Sequence, residues 1–229
     1  MAHLSLPGGT DVAEVALFSV DALPTDAPRD ARVFEQLEAE HTAIRFSTGA
    51  DGAYLLQVFI DEPIPEPMLA YVVEADKKTG RLNIRRGSLG FGGLESAYAG
   101  FIPDRIIRSD TRIPPGEYDV TAYRTVYPAE IIESAVRARI GSRGRLILEL
   151  PSYIIPAAIL LTITALVLSG WIAATVVAIA AVAVLAAYFR SDVVRRLQSE
   201  KQAVETAYPS MLAQMRLVRS DAIAASMEP

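Results

Sequence analysis

The stretch "LLTITALVLSGWIAATVVAIAAVAVL" (residues 160–185) lies inside a longer window, residues 150–189, that contains no charged side chain over 40 positions. The hydrocarbon core of a bilayer is about 30 Å thick, and an α-helix rises about 1.5 Å per residue, so one crossing needs roughly 20 residues. A single helix over the whole window would be about 60 Å long, which is more than tilting can absorb. The length of the window therefore favours two crossings over one.

The centre of the window indicates where the chain reverses. Gly170 permits a tight turn, and Trp171 beside it is a residue that favours the membrane interface. We therefore predict a helical hairpin with spans at residues 153–169 and 171–189. Small residues recur at helical spacing on each span, and we expect them to let the two backbones approach closely; these are Ala158, Thr162, Ala165 and Ser169, then Gly170, Ala174, Ala178 and Ala181. Two alternatives remain open: a hairpin buried wholly inside a soluble protein, and one long kinked helix.

Positive charge flanks the window on both sides, whereas the turn at Gly170 carries none. The flanking basic residues are Arg137, Arg139, Arg143 and Arg145 before the window, and Arg190, Arg195, Arg196 and Lys201 after it. Positive flanks stay on the cytoplasmic side, which predicts a multi-pass protein of the inner (cytoplasmic) membrane with both termini in the cytosol. These arginines also favour anionic lipid head groups, so the lipid bilayer is the first expected partner. The opening "MAHLSLPGGTDVAE" has neither a basic nor an apolar signal region, which predicts no cleaved secretory signal.

Residues 1–127 have the pattern of a β domain. Short runs of alternating apolar residues separated by turn signals predict a sandwich or barrel. The expected strands are residues 11–20, 41–48, 53–60, 68–75, 81–86 and 117–127. Turn signals at Asp51-Gly52 and within "DKKTG" (residues 76–80) predict two hairpins, 41–48 with 53–60 and 68–75 with 81–86. A helix is expected at residues 29–40, where Val33, Phe34 and Leu37 share one face.

The remaining chain is expected to be helical. Residues 128–150 predict an amphipathic helix that begins at Pro128 and ends at Gly141, followed by a hinge. Residues 151–189 form the membrane hairpin, and residues 190–229 form a cytosolic helical tail. Within that tail, Ser210 is expected to cap a final helix whose apolar residues are Met211, Leu212, Met215, Val218 and Ile223. The predicted fold class is thus a mainly β, sandwich-like soluble domain (residues 1–127), then a two-helix transmembrane hairpin and a C-terminal helical tail.

The sequence offers no constellation that would carry catalysis. It has no cysteine, and its two histidines, His3 and His41, lack metal-ligand spacing. "GSLGFGG" (residues 87–93) lacks the ending of a phosphate-binding loop, so we expect a flexible loop or bulge there. "DEPIPEP" (residues 61–67) is expected to be a solvated connection, with acid–base work or calcium binding by its carboxylates as the alternative. "RSDTR" (residues 108–112) is expected either to recognise an acidic partner or to be a polar connection. We therefore predict no catalytic, cofactor-binding or metal-binding residue and no enzyme activity, with an unrecognised site in the β domain as the alternative.

Charge makes nucleic acid a poor partner. Residues 1–150 hold 22 acidic and 16 basic side chains, which gives this part of the chain a formal charge of −6. Nucleic-acid binding is driven largely by basic surfaces that neutralise phosphates. We therefore expect no nucleic-acid partner.

The segment "AIRFSTGADGAYLLQVFIDEP", followed by "IPPGEYDVTAYRT", resembles the bacterial competence protein J (nuclease inhibitor) family. The resemblance covers residues 43–127, and its Pro-x-Gly-x-Tyr turn corresponds to Pro114, Gly116 and Tyr118. The family shows no membrane hairpin to match residues 153–189. The resemblance implies a protein-binding or inhibitory role and identifies no functional residues.

Together these features predict a bacterial, membrane-anchored, non-enzymatic binding or regulatory protein. Its cytosolic β domain would recognise a protein partner, and an inhibitor or immunity protein is one specific form of this role. The alternative is a membrane effector, whose hairpins would assemble as a homo-oligomer and perturb the bilayer.

Overall fold

The structure, a computed structural model, describes residues 2–27, 32–104 and 106–219. It divides into two compact units. The first, here called the β unit, joins Met1–Val126 to Pro209–Pro229, and the second, the helical unit, is Tyr127–Tyr208. The segment predicted as a single tail, residues 190–229, is therefore divided between the two units.

The described part of the β unit contains nine strands and two short α-helices. The strands are β1 Ala2–Thr10, β2 Glu14–Ser19, β3 Ala43–Ser47, β4 Gly52–Ile60, β5 Lys78–Ile84, β6 Ser88–Gly93, β7 Arg108–Arg112, β8 Gly116–Arg124 and β9 Met211–Arg219. The helices are α1 Arg32–Ala39 and α2 Glu66–Leu69. The predicted helix at residues 29–40 is confirmed for α1, in which Phe34 and Leu37 are buried. Residues 28–31, where that prediction began, lie outside the described residues.

The strands form two sheets. The five-stranded sheet has the order β1-β4-β9-β8-β5 and is antiparallel except for the parallel pair β4 and β9. The four-stranded sheet has the order β3-β2-β6-β7 and is antiparallel throughout. One buried cluster draws side chains from both sheets, among them Leu17 and Phe91 from the smaller sheet and Leu56, Val120 and Met215 from the larger one. The strand predicted at residues 117–127 is confirmed over Gly116–Arg124, where Tyr118, Val120 and Ala122 all enter this core. Val126, which we placed on the same apolar side, lies beyond the strand and is 55 % exposed.

Both predicted hairpins are wrong. β3 pairs with β2 in the smaller sheet, whereas β4 pairs with β1 and β9 in the larger one. The turn between β3 and β4 thus carries the chain from one sheet to the other. Each of these strands has an apolar face that can enter the shared core from either sheet, so the local alternation does not decide which sheet a strand joins. β5 is confirmed as a strand, but its partner is β8.

Residues 68–75 do not form the predicted strand. They contain the end of α2, an isolated bridge between Val72 and Thr125, and the start of a 3₁₀ turn at Glu74–Asp76. Pro65 and a second proline in the first turn favour a helix start here, because proline fixes a helical φ and lacks the amide that the first turn leaves unbonded. The segment covers apolar side chains on the outer side of the larger sheet, with Ile64 buried beside Phe59 and Leu212 and with Met68 packed against them.

The glycine-rich stretch at residues 87–93 is a strand and not the flexible loop that we predicted. β6 lies between β2 and β7, and its Leu89 and Phe91 are fully buried. Its glycines permit close packing: a Cβ at Gly90 would lie 2.3 Å from Phe18 Cε2. "RSDTR" is also a strand, β7, at the edge of the same sheet.

The final helix predicted from Ser210 is wrong. Met211–Arg219 is strand β9, which lies between β4 and β8 with its Met211, Ala213 and Met215 buried in the shared core. The apolar spacing of this segment is compatible with either a helix or a strand. The strand forms because the segment can pair with both β4 and β8 in the larger sheet. Ile223, the last residue of the predicted helix, lies outside the described residues.

The helical unit contains α3 Ala129–Ser169, α4 Trp171–Arg190 and α5 Asp192–Glu205. α3 is interrupted at Gly141, whose φ of 71° is left-handed, which confirms the predicted stop there. The predicted hinge beyond it is wrong, because residues 142–150 are helical. Gly170, with a φ of 83°, separates α3 from α4 and confirms the predicted reversal. The alternative of one continuous helix is therefore excluded, and the predicted helical tail is confirmed for α5.

The helical unit is an insertion between two neighbouring strands. In the larger sheet Arg124 of β8 is the Cα partner of Met211 of β9. Just beyond this pair, the amide of Thr125 donates to the carbonyl of Ser210 at 2.9 Å, and the Thr125 hydroxyl donates to the Pro209 carbonyl. The chain thus leaves the sheet at Val126 and returns to the adjacent strand at Pro209.

Candidate membrane anchor and protein-binding face

The apolar helices expose their side chains. None of the most apolar 18-residue stretch of α3 is buried, and only 6 % of that of α4 is buried. Val167 is 76 % exposed and Ile179 is 64 % exposed. Both helices are long and apolar enough to cross a membrane. Within the described residues of this chain, the two helices are therefore not buried as a core hairpin would be.

The predicted small-residue stripe lies where the two helices meet. Half-buried or buried positions of α3 include Ala158, Thr162 and Ala165, and those of α4 include Ala174, Ala178 and Ala181. Ser169 and Gly170, at the turn, are exposed instead. At the opposite end of the pair, the Tyr188 hydroxyl donates to the Ile147 carbonyl at 2.7 Å. Small side chains and one interhelical hydrogen bond are the contacts that hold helices together in an apolar solvent.

The flanking arginines fall into two groups. Arg139 pairs with Glu200, Arg145 pairs with Glu133 and Glu149, and Arg195 pairs with Asp192. Among the described residues, the other four have no carboxylate within 4 Å; these are Arg137, Arg143, Arg190 and Arg196. This second group is free to meet anions outside the protein.

The larger sheet leaves part of its outer side uncovered, and we call this part the open face. It consists of Thr79, Arg81, Asp119, Thr121, Gln214 and Arg216, with Lys77 and Tyr123 at its border. Strand register places these residues together: Asp119 is the Cα partner of both Arg81 and Arg216, and Thr121 is the partner of both Thr79 and Gln214. Side chains alternate along each strand, so the same residues cannot enter the core.

Two adjoining hollows, or surface depressions, lie on the open face, and Asp119 and Thr121 line both of them. One has a volume of about 570 Å³ and also contains His41 and Arg81 in its lining. The other has a volume of about 330 Å³ and contains Lys77, Tyr123, Gln214 and Arg216 in its lining. The lining of the second hollow is mainly polar and charged, which suits a protein surface better than an apolar small molecule.

The carboxylates around the open face are already paired. Arg81 contacts Glu117 at 3.0 Å and Asp119 at 3.5 Å, and Arg124 contacts Asp76 at 2.6 Å. Lys77 and Arg216 differ from these basic residues, since neither has a carboxylate within 4 Å among the described residues. The Lys77 ammonium lies 5.6 Å from the centroid of the Tyr123 ring.

Arg108, in the stretch that we expected to recognise an acidic partner or to be a polar connection, is 1 % exposed. It binds both carboxylate oxygens of Asp110, at 2.7 and 2.8 Å, and donates to the carbonyls of Ser96 and Tyr98. Its guanidinium lies 5.2 Å from the centroid of the Phe18 ring. All of these contacts are internal, so Arg108 stabilises the smaller sheet and is not available to an acidic partner.

The residues that carry the family resemblance form a local hydrogen-bonded turn. The Tyr118 hydroxyl donates to the Pro114 carbonyl at 2.6 Å, while its ring is fully buried. Burial, and secondarily the negative charge of Asp61, raises the pKa of Tyr118 to about 12. This turn fixes the start of β8 and has a structural role.

Neither histidine lies in a metal site. His3 stacks on Phe59 with ring centroids 4.9 Å apart, and His41 is exposed at the margin of the open face. Within the described residues, no group of three or more His, Asp or Glu side chains has the arrangement that a metal ion needs.

No family model matches the chain, and no curated protein matches it in sequence. Among solved structures, the chain is similar to "Crocagin biosynthetic gene J", with a TM-score of 0.38 and 17 % identity over 58 % of this chain and 79 % of that one. It is also similar to ComJ, inhibitor of the DNA degrading activity of NucA, from Bacillus subtilis, with a TM-score of 0.33 and 14 % identity over 55 % of this chain and 82 % of that one.

The weak resemblance to the competence protein J family that the sequence indicates is thus confirmed as a structural resemblance over about half of the chain. We base the functional proposals that follow on the side chains and topology of this chain.

Proposed function

We propose that this protein is a membrane-anchored, non-enzymatic binding protein. Its helical hairpin holds a sandwich-like β domain at the cytosolic face of the inner (cytoplasmic) membrane, and that domain binds and regulates a protein partner. Inhibition of the partner is one specific form of this role.

The observation that carries the proposal is the insertion of two exposed apolar helices between β8 and β9. These strands are hydrogen-bonded neighbours, so the two ends of the helical unit meet at Thr125 and Ser210. A bilayer is about 30 Å thick, and strands on opposite sides of it cannot pair. A chain with this pairing that enters a bilayer crosses it an even number of times, and α3 and α4 would supply two crossings.

The flanking charges support the direction of the crossing. Basic residues lie on both sides of the hairpin, whereas the turn at Gly170 has no charge. This distribution favours a cytosolic location for both ends and for the β unit. The unpaired group of arginines, which includes Arg143 and Arg196, would contact anionic head groups there.

The membrane-effector alternative receives less support. A conducting assembly needs polar groups that face a water-filled path. The hydroxyls of Thr162, Thr164 and Thr175 donate instead to carbonyls in their own helices, at 2.8, 2.9 and 2.9 Å. These hydroxyl groups are therefore hydrogen-bonded without water, which favours a membrane anchor over a water-filled pore.

A charged residue placed on the exposed apolar surface of α4 tests whether that surface faces lipid or water. Ile179 is in the middle of α4 and is 64 % exposed. Arginine at the centre of a membrane helix costs roughly 2.5–3.5 kcal/mol on insertion scales, so Ile179→Arg should lower the fraction of protein that resists alkaline carbonate extraction. Ile102→Arg is the matched control, because Ile102 is 86 % exposed in the β unit and should tolerate the change. If Ile179→Arg behaves like the control and the chain is soluble without detergent, the anchor proposal fails.

A further inference from the structure

We infer that the open face of the five-stranded sheet binds an acidic segment of the protein partner, with Lys77 and Arg216 as the residues that recognise its carboxylates. This inference rests on the proposed binding function and names the surface and the chemistry of the partner.

The open face contains both paired and unpaired charged side chains. Arg81 pairs with both Glu117 and Asp119, so these three groups together carry a formal charge of −1, and Asp76 is paired with Arg124 outside the hollow. Lys77 and Arg216 line the same hollow of about 330 Å³ without an internal carboxylate partner among the described residues. Two unpaired cations in one depression, on a chain whose formal net charge is −5, form a local surface complementary to negative charge.

The two unpaired cations, Lys77 and Arg216, are separated along the strand direction. Arg216 lies opposite Asp119 on β8, and Lys77 lies near Tyr123, four residues further along the same strand. Strand residues are about 3.4 Å apart, so the cations are separated by roughly 13 Å along β8. An extended segment with two carboxylates about four residues apart would reach both.

The groups between the two cations favour a protein segment over a nucleic acid as the ligand. Between the two cations the hollow presents the hydroxyl of Thr121 and the side chain of Gln214, with the ring of Tyr123 at one end. Neutral hydrogen-bonding groups and an aromatic ring are typical of protein interfaces. A phosphate backbone brings a negative charge at every nucleotide, whereas this hollow offers two cations, which suits a segment with two carboxylates.

The test is a selection of random 12-residue peptides on the full chain in lipid nanodiscs, followed by fluorescence anisotropy with the selected peptides. We expect the selected peptides to be enriched in Asp and Glu. Binding of an acidic peptide should weaken about tenfold in the double variant Lys77→Gln, Arg216→Gln, since two exposed charge pairs are lost.

The matched control is the double variant Lys78→Gln, Arg112→Gln, which changes the net charge equally. Lys78 is adjacent to Lys77 but is the partner of core-facing Ala122, so it belongs to the other side of the sheet, and Arg112 is exposed on β7. The control should change affinity by less than about twofold, as expected for charges outside the interface.

Three results would overturn the inference: selected peptides without acidic enrichment, an equal loss of affinity in the two double variants, or equal competition by single-stranded DNA of the same length. Retention of the chain in nanodiscs tests the proposed membrane anchor separately in the same experiment. A chain that is not retained contradicts the anchor and leaves the open face testable in aqueous buffer, whereas a retained chain that selects no acidic peptide contradicts the open face alone.

Discussion

Aspartate substitutions at Ala213 and Val218 test whether residues 211–219 form a central strand. Ala213 is fully buried between Val58 of β4 and Ala122 of β8. Ala213→Asp would place a carboxylate without a partner in the core, which costs several kcal/mol, against a total stability of about 5–15 kcal/mol for an ordinary domain. Val218 is 51 % exposed, so Val218→Asp should change stability by no more than about 0.5 kcal/mol.

Hydrogen–deuterium exchange in detergent measures this difference locally. Ala213→Asp should increase exchange in peptides that cover β4 and β8, which lose their shared neighbour, while Val218→Asp should leave their exchange unchanged. An amphipathic helix predicts the opposite order, because Val218 would lie on its apolar face with Met211 and Met215, and Ala213 would lie away from that face. A larger effect at Val218 than at Ala213 would therefore refute the strand.

Three further predictions concern single residues. Arg108→Lys should lower the stability of the β unit by roughly 2–4 kcal/mol, seen as a lower thermal midpoint, because lysine cannot reproduce the planar guanidinium contacts. The pKa of Tyr118 is about 12 in the folded state and about 10 when unfolded, so the unfolded state ionises first and stability should fall between about pH 10 and pH 12. Tyr118→Phe should remove that part of the decline, and an unchanged pH profile of urea midpoints would contradict it. Arg143→Gln should reduce preferential retention of anionic over zwitterionic lipid by about fivefold in native mass spectrometry, whereas Arg139→Gln should have less effect because Arg139 is already paired.

Local signals predict several features of the fold correctly. The uncharged window and Gly170 are sufficient for a two-helix hairpin with a reversal at the right residue, because length and a left-handed glycine are local properties. The alternation in β8 and the helical face of Phe34 and Leu37 are likewise decided within a few residues. The small-residue stripe is correct for Ala158 and its neighbours for the same reason.

Sheet topology and the candidate binding face depend on distant residues and could not be read locally. Strand β9 is separated from its partner β8 by the whole helical unit, and its apolar residues fit a helix as well as a strand. The glycines of β6 resemble a loop until Phe18 and its neighbours are placed against them. Lys77 and Arg216 are 139 positions apart in sequence, and their common hollow exists only once β9 is paired with β8.

The most direct test of the central claim uses single cysteines, because the natural chain has none. Ser5, Ser169 and Ser199 are exposed in the β unit, at the α3–α4 turn and in α5, respectively. Each is changed to Cys, and a membrane-impermeant maleimide is added to intact cells and to inverted membrane vesicles. An inserted hairpin predicts that Ser169→Cys is labelled only from outside the cell, and that Ser5→Cys and Ser199→Cys are labelled only in inverted vesicles. Labelling of all three from the same side would contradict two crossings, and labelling of Ser5→Cys and Ser199→Cys from opposite sides would contradict the pairing of β8 with β9 across the hairpin.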